Sequence, residues 1–182
     1  MNEQLQFAKM IATRLDSARI PYMMTGSMAM AVYAVPKMAQ DVDLVVECAP
    51  EDAGRLAALF EKDCHADRDE IRSAAVSRSS FSVVHTQWTI KADFTIRKDE
   101  PYRKTEFERR RRVDVDGLAV SVVAPEDLLL SKLTWSKAGS AALQLADALA
   151  IAEAAHDLEW SYIETWASRL GVEGLLRKIE VA

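Results

Sequence analysis

The stretch Thr25-Gly26-Ser27, followed downstream by Asp41-Val42-Asp43-Leu44-Val45-Val46, decides the fold prediction for this chain. Residues 22–25 are apolar enough for a buried strand, and residues 28–35 are good helix formers. Gly26 permits a tight turn between the two segments. Because the first N–H groups of a helix attract phosphate, the stretch predicts a strand, a glycine turn and a helix start that would face a phosphate group.

Asp41 and Asp43 lie two residues apart in a β-rich segment. Successive side chains of a strand point to opposite faces, so both carboxylates lie on one face while Val42 and Leu44 lie on the other. Like charges held this close raise each other's pKa, and the pair is costly unless a cation sits between them. Oxygen ligands favour magnesium or manganese, and no nearby His or Cys pattern points to zinc. The sequence therefore predicts a Mg²⁺ or Mn²⁺ ion at this strand.

A second β-rich segment, residues 88–96, carries another carboxylate, Asp93. Apolar and polar residues alternate along it, which places Asp93 on the polar face. Neighbouring strands of a sheet lie about 4.8 Å apart. Asp93 would therefore complete a two-metal site with Asp41 and Asp43 if the two strands paired in register, a point that the sequence leaves open.

A Gly-Ser turn, an Asp-x-Asp strand and a distant third aspartate, in this order, resemble the pattern of the polymerase-β-type nucleotidyltransferases. The residues that carry this pattern are Gly26-Ser27, Asp41-Val42-Asp43 and Asp93. Within that group the chain looks most like the AbiEii-type toxins and related minimal nucleotidyltransferases.

The similarity extends beyond the three aspartates. Residues 124–133 resemble the next helix of the family with its lysine, Lys132, and the likeness continues through residues 135–140 to Asp147. It spans most of the chain, from about residue 22 to residue 171.

Three positions depart from the family pattern. The family usually has an Arg and a Thr in the loop before the first aspartate, whereas the matching places here look like Lys37 and Ala39. An Arg is also common a few residues before the helical Asp147, where this chain has Leu143. These departures concern contacts with substrate, while the three predicted metal ligands are intact.

The resemblance implies an α+β protein with a nucleotidyltransferase-like mixed β-sheet flanked by helices. Residues 1–124 would form the nucleotidyltransferase core, and residues 125–182 a C-terminal helical subdomain packed on it. It implies a metal-dependent enzyme that transfers a nucleoside monophosphate from a nucleoside triphosphate, such as ATP, to a hydroxyl of a protein or RNA acceptor and releases pyrophosphate. It also suggests a toxin-antitoxin or phage-defence setting, with a cognate toxin or antitoxin as partner.

In that mechanism Asp41 and Asp43 hold two metal ions, and Asp93 either binds one of them or takes the proton of the acceptor hydroxyl. The predicted phosphate-binding residues are Gly26, Ser27 and Lys132. Two other classes stay open. One is a non-catalytic binding module that keeps the fold to grip a protein partner, and the other is an antibiotic-modifying nucleotidyltransferase that acts on an aminoglycoside.

Several of these residues also have purely structural interpretations. Lys132 would then pack its stem and extend its ammonium to water, and Asp147 would fix the loop of residues 135–140. Ser27 would cap its helix, which stabilises a helix by roughly 1 kcal/mol without any ligand. The four arginines at 109–112 would be solvated and would pair with Glu106 and Glu108, although one or two of them would suit a triphosphate or an RNA backbone. The tryptophans of the C-terminal half would serve packing, with base stacking as the alternative.

Composition is that of a compact globular protein of 182 residues, with 49% hydrophobic and 28% charged residues. The net charge of −5 argues against bulk electrostatic coating of nucleic acid. The longest apolar stretches are broken before membrane-spanning length, and the first residues lack a signal-peptide pattern, which predicts a cytoplasmic protein with no membrane partner. Two cysteines, Cys48 and Cys64, form neither a disulfide framework nor a zinc pattern.

Periodicity predicts helices over residues 2–18, 51–62 and 67–77. Strands are expected at 80–85 and 89–96, and a hairpin at 112–123 around Asp116-Gly117. From residue 125 onward the chain is expected to be nearly all helix, with breaks at Gly139, Asp157 and Gly171.

Overall fold

A computed structural model of the chain describes residues 3–34, 41–137 and 141–180. Within these residues seven strands form one sheet, flanked by nine α-helices. The strands are β1 (Tyr22–Met24), β2 (Val42–Val46), β3 (Cys64–His65), β4 (Ser80–His85), β5 (Lys91–Ile96), β6 (Arg111–Val115) and β7 (Leu118–Val122). The helices are α1 (Glu3–Ser17), α2 (Gly26–Tyr33), α3 (Ala53–Ala58), α4 (Arg68–Ser77), α5 (Pro101–Glu108), α6 (Pro125–Trp135), α7 (Ala141–Ala154), α8 (Trp160–Leu170) and α9 (Glu173–Glu180).

The sheet is mixed, with the strand order β3-β4-β5-β2-β1-β7-β6. β2 is parallel to β5 and β1 is parallel to β7, while the other neighbouring strands are antiparallel. The two predicted aspartate-bearing strands, β2 and β5, are therefore neighbours at the centre of the sheet. The predicted α+β class, a mixed sheet flanked by helices with a helical C-terminal part, is confirmed.

Strict alternation of apolar residues in β2 and β5 gives the centre of the sheet one apolar face. Val42, Leu44 and Val46 of β2 are buried, and each pairs with a buried apolar residue of β5. Phe94 of β5 continues this layer, because its ring stacks on Phe81 of β4 with 4.9 Å between the ring centroids. Burial of side chains of this size stabilises the fold by about 1.5–3 kcal/mol each, so this layer holds the strands in register.

α6 is buried around its whole circumference over residues 125–133. It contacts α7, α8 and α2. A helix surrounded on all sides normally carries only apolar residues. The buried charges of Glu126, Asp127 and Lys132 are therefore exceptional, and each of them has an ion-pair partner.

Most predicted elements are present, with shifted ends. The hairpin around Asp116-Gly117 is confirmed, and both turn residues have positive φ, as the two-residue turns that match the twist of the strands require. The helix expected over 51–62 is shorter, because a 3₁₀ turn (Pro50–Asp52) precedes α3 and the helix ends at Ala58. The short strand β3 was not predicted. The breaks at Asp157 and Gly171 are confirmed, and Gly139 lies outside the described residues.

None of the helices described is both long and apolar enough to cross a lipid bilayer.

Candidate active site

The turn between β1 and α2 lies directly against Asp43. The backbone N–H of Thr25 donates a hydrogen bond to the carbonyl oxygen of Asp43 at 2.9 Å. Gly26 has φ +58°, and a Cβ added to it would overlap the Asp43 carboxylate. Glycine is therefore required here both for its backbone conformation and for the space that the carboxylate occupies.

α2 begins at Gly26, two residues earlier than a Ser27 cap would require. Thr25 is the residue before the helix, and its side chain makes no capping hydrogen bond. The interpretation of Ser27 as the N-cap is therefore wrong, since Ser27 lies within the first turn. Its half-buried side chain lies at the helix start that was predicted to face phosphate.

The aspartates of β2 and β5 lie side by side. Asp43 is the direct partner of Asp93 in the parallel pair, and Ser82 of β4 is the partner of Asp93 on the other side. Ser82 donates a hydrogen bond from Oγ to Oδ1 of Asp93 at 2.6 Å. Asp41 lies just before β2, where Gln4 of α1 holds its carbonyl oxygen at 2.9 Å. The register that the sequence left open therefore brings Asp43 and Asp93 together.

Lys91 supplies the positive charge of this cluster. Its Nζ lies 2.6 Å from Oδ2 of Asp93 and 3.6 Å from Oδ2 of Asp41. Lys91 precedes Asp93 by two residues on the same strand, so both side chains point to the same face. Lys91 was not among the predicted site residues, although its period-2 spacing from Asp93 was the signal that would have identified it.

The surroundings of Asp43 disfavour its charged form. Burial raises the pKa of the Asp43 carboxyl above its ordinary value, and the charges of Asp93 and Asp41 raise it further. Lys132 and Lys91 act in the opposite direction. A desolvated carboxylate beside two others is an arrangement that an added cation would stabilise.

Among the described residues, no three or more His, Cys, Asp or Glu side chains are grouped closely enough to hold a metal ion. The chemistry of the site nevertheless fits one, since Asp41, Asp43 and Asp93 provide only oxygen ligands. Two of the three already share a cation, the ammonium of Lys91.

Lys132 reaches the site from α6 but is bound to another residue. Its Nζ lies 2.9 Å from Oδ2 of Asp147 on α7, and both side chains are buried. The expectation that its ammonium would extend to water is therefore wrong. A role for Asp147 in fixing the loop of residues 135–140 stays a prediction, because residues 138–140 lie outside the described part of the chain.

The arginine run has different partners from those expected. Arg109 pairs with Asp127 at 3.3 Å and with Glu159 at 3.0 Å, and Arg111 pairs with Glu126 at 3.1 Å. These contacts fasten α5 and β6 to α6 and α8. The predicted partners Glu106 and Glu108 make none of these contacts, and Glu106 pairs with Arg103 instead.

Two of the departures from the family pattern, Lys37 and Ala39, lie outside the described residues. The third, Leu143, is an exposed residue of α7.

No family model and no curated protein sequence matches the chain. Several solved structures are similar to the chain. The chain is similar to a Thermotoga maritima protein assigned to the nucleotidyltransferases, with 18% identity over 78% of this chain and 89% of that one and a TM-score of 0.53. It is also similar to ANT(2″)-Ia in complex with adenylyl-2″-tobramycin, with 17% identity over 99% of this chain and 94% of that one and a TM-score of 0.54.

A third similar structure is a nucleotidyltransferase-like protein of Paracoccidioides brasiliensis, with 16% identity over 82% of this chain and 76% of that one and a TM-score of 0.56. At these identities the likeness concerns the arrangement of strands and helices. The chain therefore has the nucleotidyltransferase fold.

Proposed function

We propose that this protein is a metal-dependent nucleotidyltransferase that moves a nucleoside monophosphate from a nucleoside triphosphate to a hydroxyl group of a protein or RNA acceptor. The observation that carries the proposal is the in-register pairing of Asp43 with Asp93, beside a glycine turn that touches Asp43. The fold shared with nucleotidyltransferases supports the same reaction.

Asp41, Asp43 and Asp93 would hold the Mg²⁺ or Mn²⁺ ions. When bound, such ions polarise the phosphate and make the acceptor hydroxyl more acidic. The N–H groups at the start of α2, the Ser27 hydroxyl and the ammonium of Lys132 orient the triphosphate.

In the reaction the acceptor oxygen attacks the α-phosphorus and forms a new P–O bond. The bond from the α-phosphorus to the oxygen that bridges to the β-phosphate breaks, and pyrophosphate leaves with that electron pair. The proton of the hydroxyl passes to the Asp93 carboxylate, whose Oδ1 is held by Ser82. This assignment makes Asp93 the general base in addition to a ligand of the ions, while Asp41 and Asp43 act as metal ligands.

The proposed acceptor is a partner protein or an RNA. Resemblance to AbiEii-type and minimal nucleotidyltransferases suggests a toxin-antitoxin or phage-defence setting, with an RNA end or a partner protein as acceptor. The net charge of −5 favours a protein acceptor over RNA, since polyanions repel each other. The bound adenylyl-tobramycin of ANT(2″)-Ia makes an aminoglycoside the third acceptor to test.

The test is label transfer. The protein is incubated with each labelled nucleoside triphosphate, Mg²⁺, total RNA, cell lysate and tobramycin, and the labelled species is identified. Asp43→Asn and Asp93→Asn should lower the rate at least about a hundredfold, whereas Asp69→Asn, at an exposed acid of α4, should keep it. Equal rates in all three variants and the parent would overturn the assignment.

A non-catalytic binding module is the second candidate. The ion pairs of Lys91 with Asp93 and Asp41 favour it, because they neutralise the carboxylates without a metal. Calorimetric titration with nucleoside triphosphate and Mg²⁺ separates the two candidates. A catalyst requires metal-dependent nucleotide binding, and a module that only grips a protein does not.

A further inference from the structure

A cavity of about 190 Å³ lies beside the acidic cluster. Val45 and Thr95 line it, and each lies two residues beyond Asp43 or Asp93 on the same strand face. At about 3.3 Å per residue, the cavity begins roughly 7 Å from the carboxylates. Thr25, the residue before the glycine turn, lines it as well. A ligand whose phosphates lie at the carboxylates would therefore extend into this cavity.

We propose that this cavity receives the nucleoside part of the triphosphate donor, with the indole of Trp135 against the base. The proposal rests on the nucleotidyl transfer proposed above and adds where, and by which side chains, the donor is held.

The size of the cavity suits part of a ligand rather than a whole one. Pockets for complete small molecules have volumes of about 300–1,000 Å³. A cavity of about 190 Å³ accommodates a base, while the triphosphate lies outside it over the glycine turn and the aspartates.

The walls of the cavity are suited to a flat heteroaromatic group. Val45 provides an apolar surface, and Trp135 at the end of α6, which also lines the cavity, is 36% exposed. Bases stack on aromatic side chains of any kind because every base has a π-face. The ammonium of Lys132 lies 5.5 Å from the centroid of the Trp135 ring, which is within the range of a cation–π contact.

Two polar side chains that line the cavity, Arg103 and Glu106, are held by hydrogen bonds. Glu106 is only 5% exposed and accepts hydrogen bonds from Arg103 at 2.8 Å and from Ser131 at 2.8 Å. Arg103 and Glu106 both line the cavity. A buried, hydrogen-bonded pair of this kind can present a donor and an acceptor to the edge of a base without rearrangement.

Trp135→Ala tests the proposal, with Trp160→Ala as matched control. Trp160 is 37% exposed, almost the same as Trp135, but it does not line the cavity. Affinities for each nucleoside triphosphate, for tripolyphosphate and for tobramycin are measured calorimetrically with Mg²⁺. Trp135→Ala should lower the affinity for the tightest-binding triphosphate about tenfold and leave the affinity for tripolyphosphate unchanged. Trp160→Ala should change neither affinity. Trp135→Phe, which keeps an aromatic face, should retain most of the affinity for the triphosphate.

The outcomes are distinct. If the parent binds a triphosphate and Trp135→Ala binds it equally well, the cavity is not the nucleoside site. The same conclusion follows if Trp135→Ala weakens the binding of tripolyphosphate as much as the binding of the triphosphate. If Trp135→Ala loses affinity for tobramycin but keeps its affinity for the triphosphate, the cavity holds the acceptor and the proposal is wrong. If the parent binds no triphosphate with Mg²⁺, the proposed function itself fails. Melting temperatures of all variants identify any loss that comes from unfolding.

Discussion

Gly26 shows most directly how one residue couples the backbone to the site. Its φ of +58° lies in the left-handed region, and the position of its missing Cβ is taken by the Asp43 carboxylate. Thr25, the residue before it, is bonded to the backbone of the same aspartate. Any side chain at this position would therefore displace the carboxylate or the helix start.

Gly26→Ala should destabilise the protein by about 1–3 kcal/mol because of backbone strain and overlap, and it should abolish nucleotide transfer. Gly117→Ala is the matched control, since Gly117 also has positive φ, at +80°, but a Cβ there meets nothing within 4 Å. Urea unfolding and label transfer are measured on both. Activity retained by Gly26→Ala would show that the close approach to Asp43 is dispensable.

Lys91 is the second residue whose environment leads to a prediction. Its ammonium would compete with a divalent ion for Asp93 and Asp41, so Lys91→Gln should bind Mn²⁺ about tenfold more tightly. Calorimetric titration of the nucleotide-free protein measures this affinity. Lys104→Gln, which removes a lysine paired with Asp99 at 3.5 Å, is the control and should bind as the parent does. Weaker Mn²⁺ binding by Lys91→Gln would mean that the lysine assists the site.

At the scale of elements, buried ion pairs connect the helices around α6. Arg109 and Arg111 hold the first turn of α6, and Lys132 joins its last turn to Asp147 of α7. Isolated charges are costly to bury, so each of these contacts offsets desolvation and fixes one helix against another. The orientation of α6 is important because this helix carries both Lys132 and Trp135.

Lys132→Met should destabilise the protein by about 3 kcal/mol, because it leaves the buried carboxylate of Asp147 without this cation. The double variant Lys132→Met/Asp147→Leu should recover most of that stability, as measured by urea unfolding. If Lys132 orients phosphate, the refolded double variant stays inactive in label transfer. An active and stable double variant would show that Lys132 serves only to join α6 to α7.

At the scale of the whole molecule, the sheet and the helices of the C-terminal half share one core. α6 packs on α2 as well as on α7 and α8. The division into a core of residues 1–124 and a helical subdomain of residues 125–182 stays a prediction.

Global stability should depend on pH through the buried carboxyl of Asp127. Burial raises its pKa to about 6, while Tyr162 and Arg109 lower it by hydrogen bonding or charge. Because the folded pKa exceeds the ordinary value of 3.8, the folded protein binds this proton more tightly than the unfolded chain does. Proton binding therefore stabilises the folded state at low pH, and this stabilisation is lost as the pH rises through 6. The free energy of unfolding should therefore increase by about 1 kcal/mol from pH 7 to pH 5.

Asp127→Asn should flatten this dependence, and Asp69→Asn, at an exposed acid, should preserve it. Urea unfolding at pH 5, 6 and 7 provides the measurement. The low-pKa carboxyl of Asp63, lowered to about 2 by its hydrogen bond to Arg14, titrates below this window and does not interfere. A slope that persists in Asp127→Asn would assign it to another group.

Much of the architecture could be predicted from local patterns. The alternation in β2 and β5 placed Asp41, Asp43 and Asp93 on polar faces, and Asp116-Gly117 specified its hairpin, because side-chain period and turn conformation are set by neighbouring residues. Helix ends were less predictable. The segment after Pro50 began as a 3₁₀ turn and stopped early at Ala58, although its apolar pattern continued to Phe60.

The sequence by itself determined which side chains lie on each face of a strand, where the glycine turn falls and what kind of ligand three carboxylates would favour. Only the tertiary structure decided that β2 and β5 pair in register, that Lys91 bridges Asp93 and Asp41, and that Lys132 binds Asp147. The reason is physical. Periodicity is a property of adjacent residues, whereas register and ion pairs depend on how distant segments pack, and the pattern of a single segment carries no information about that packing.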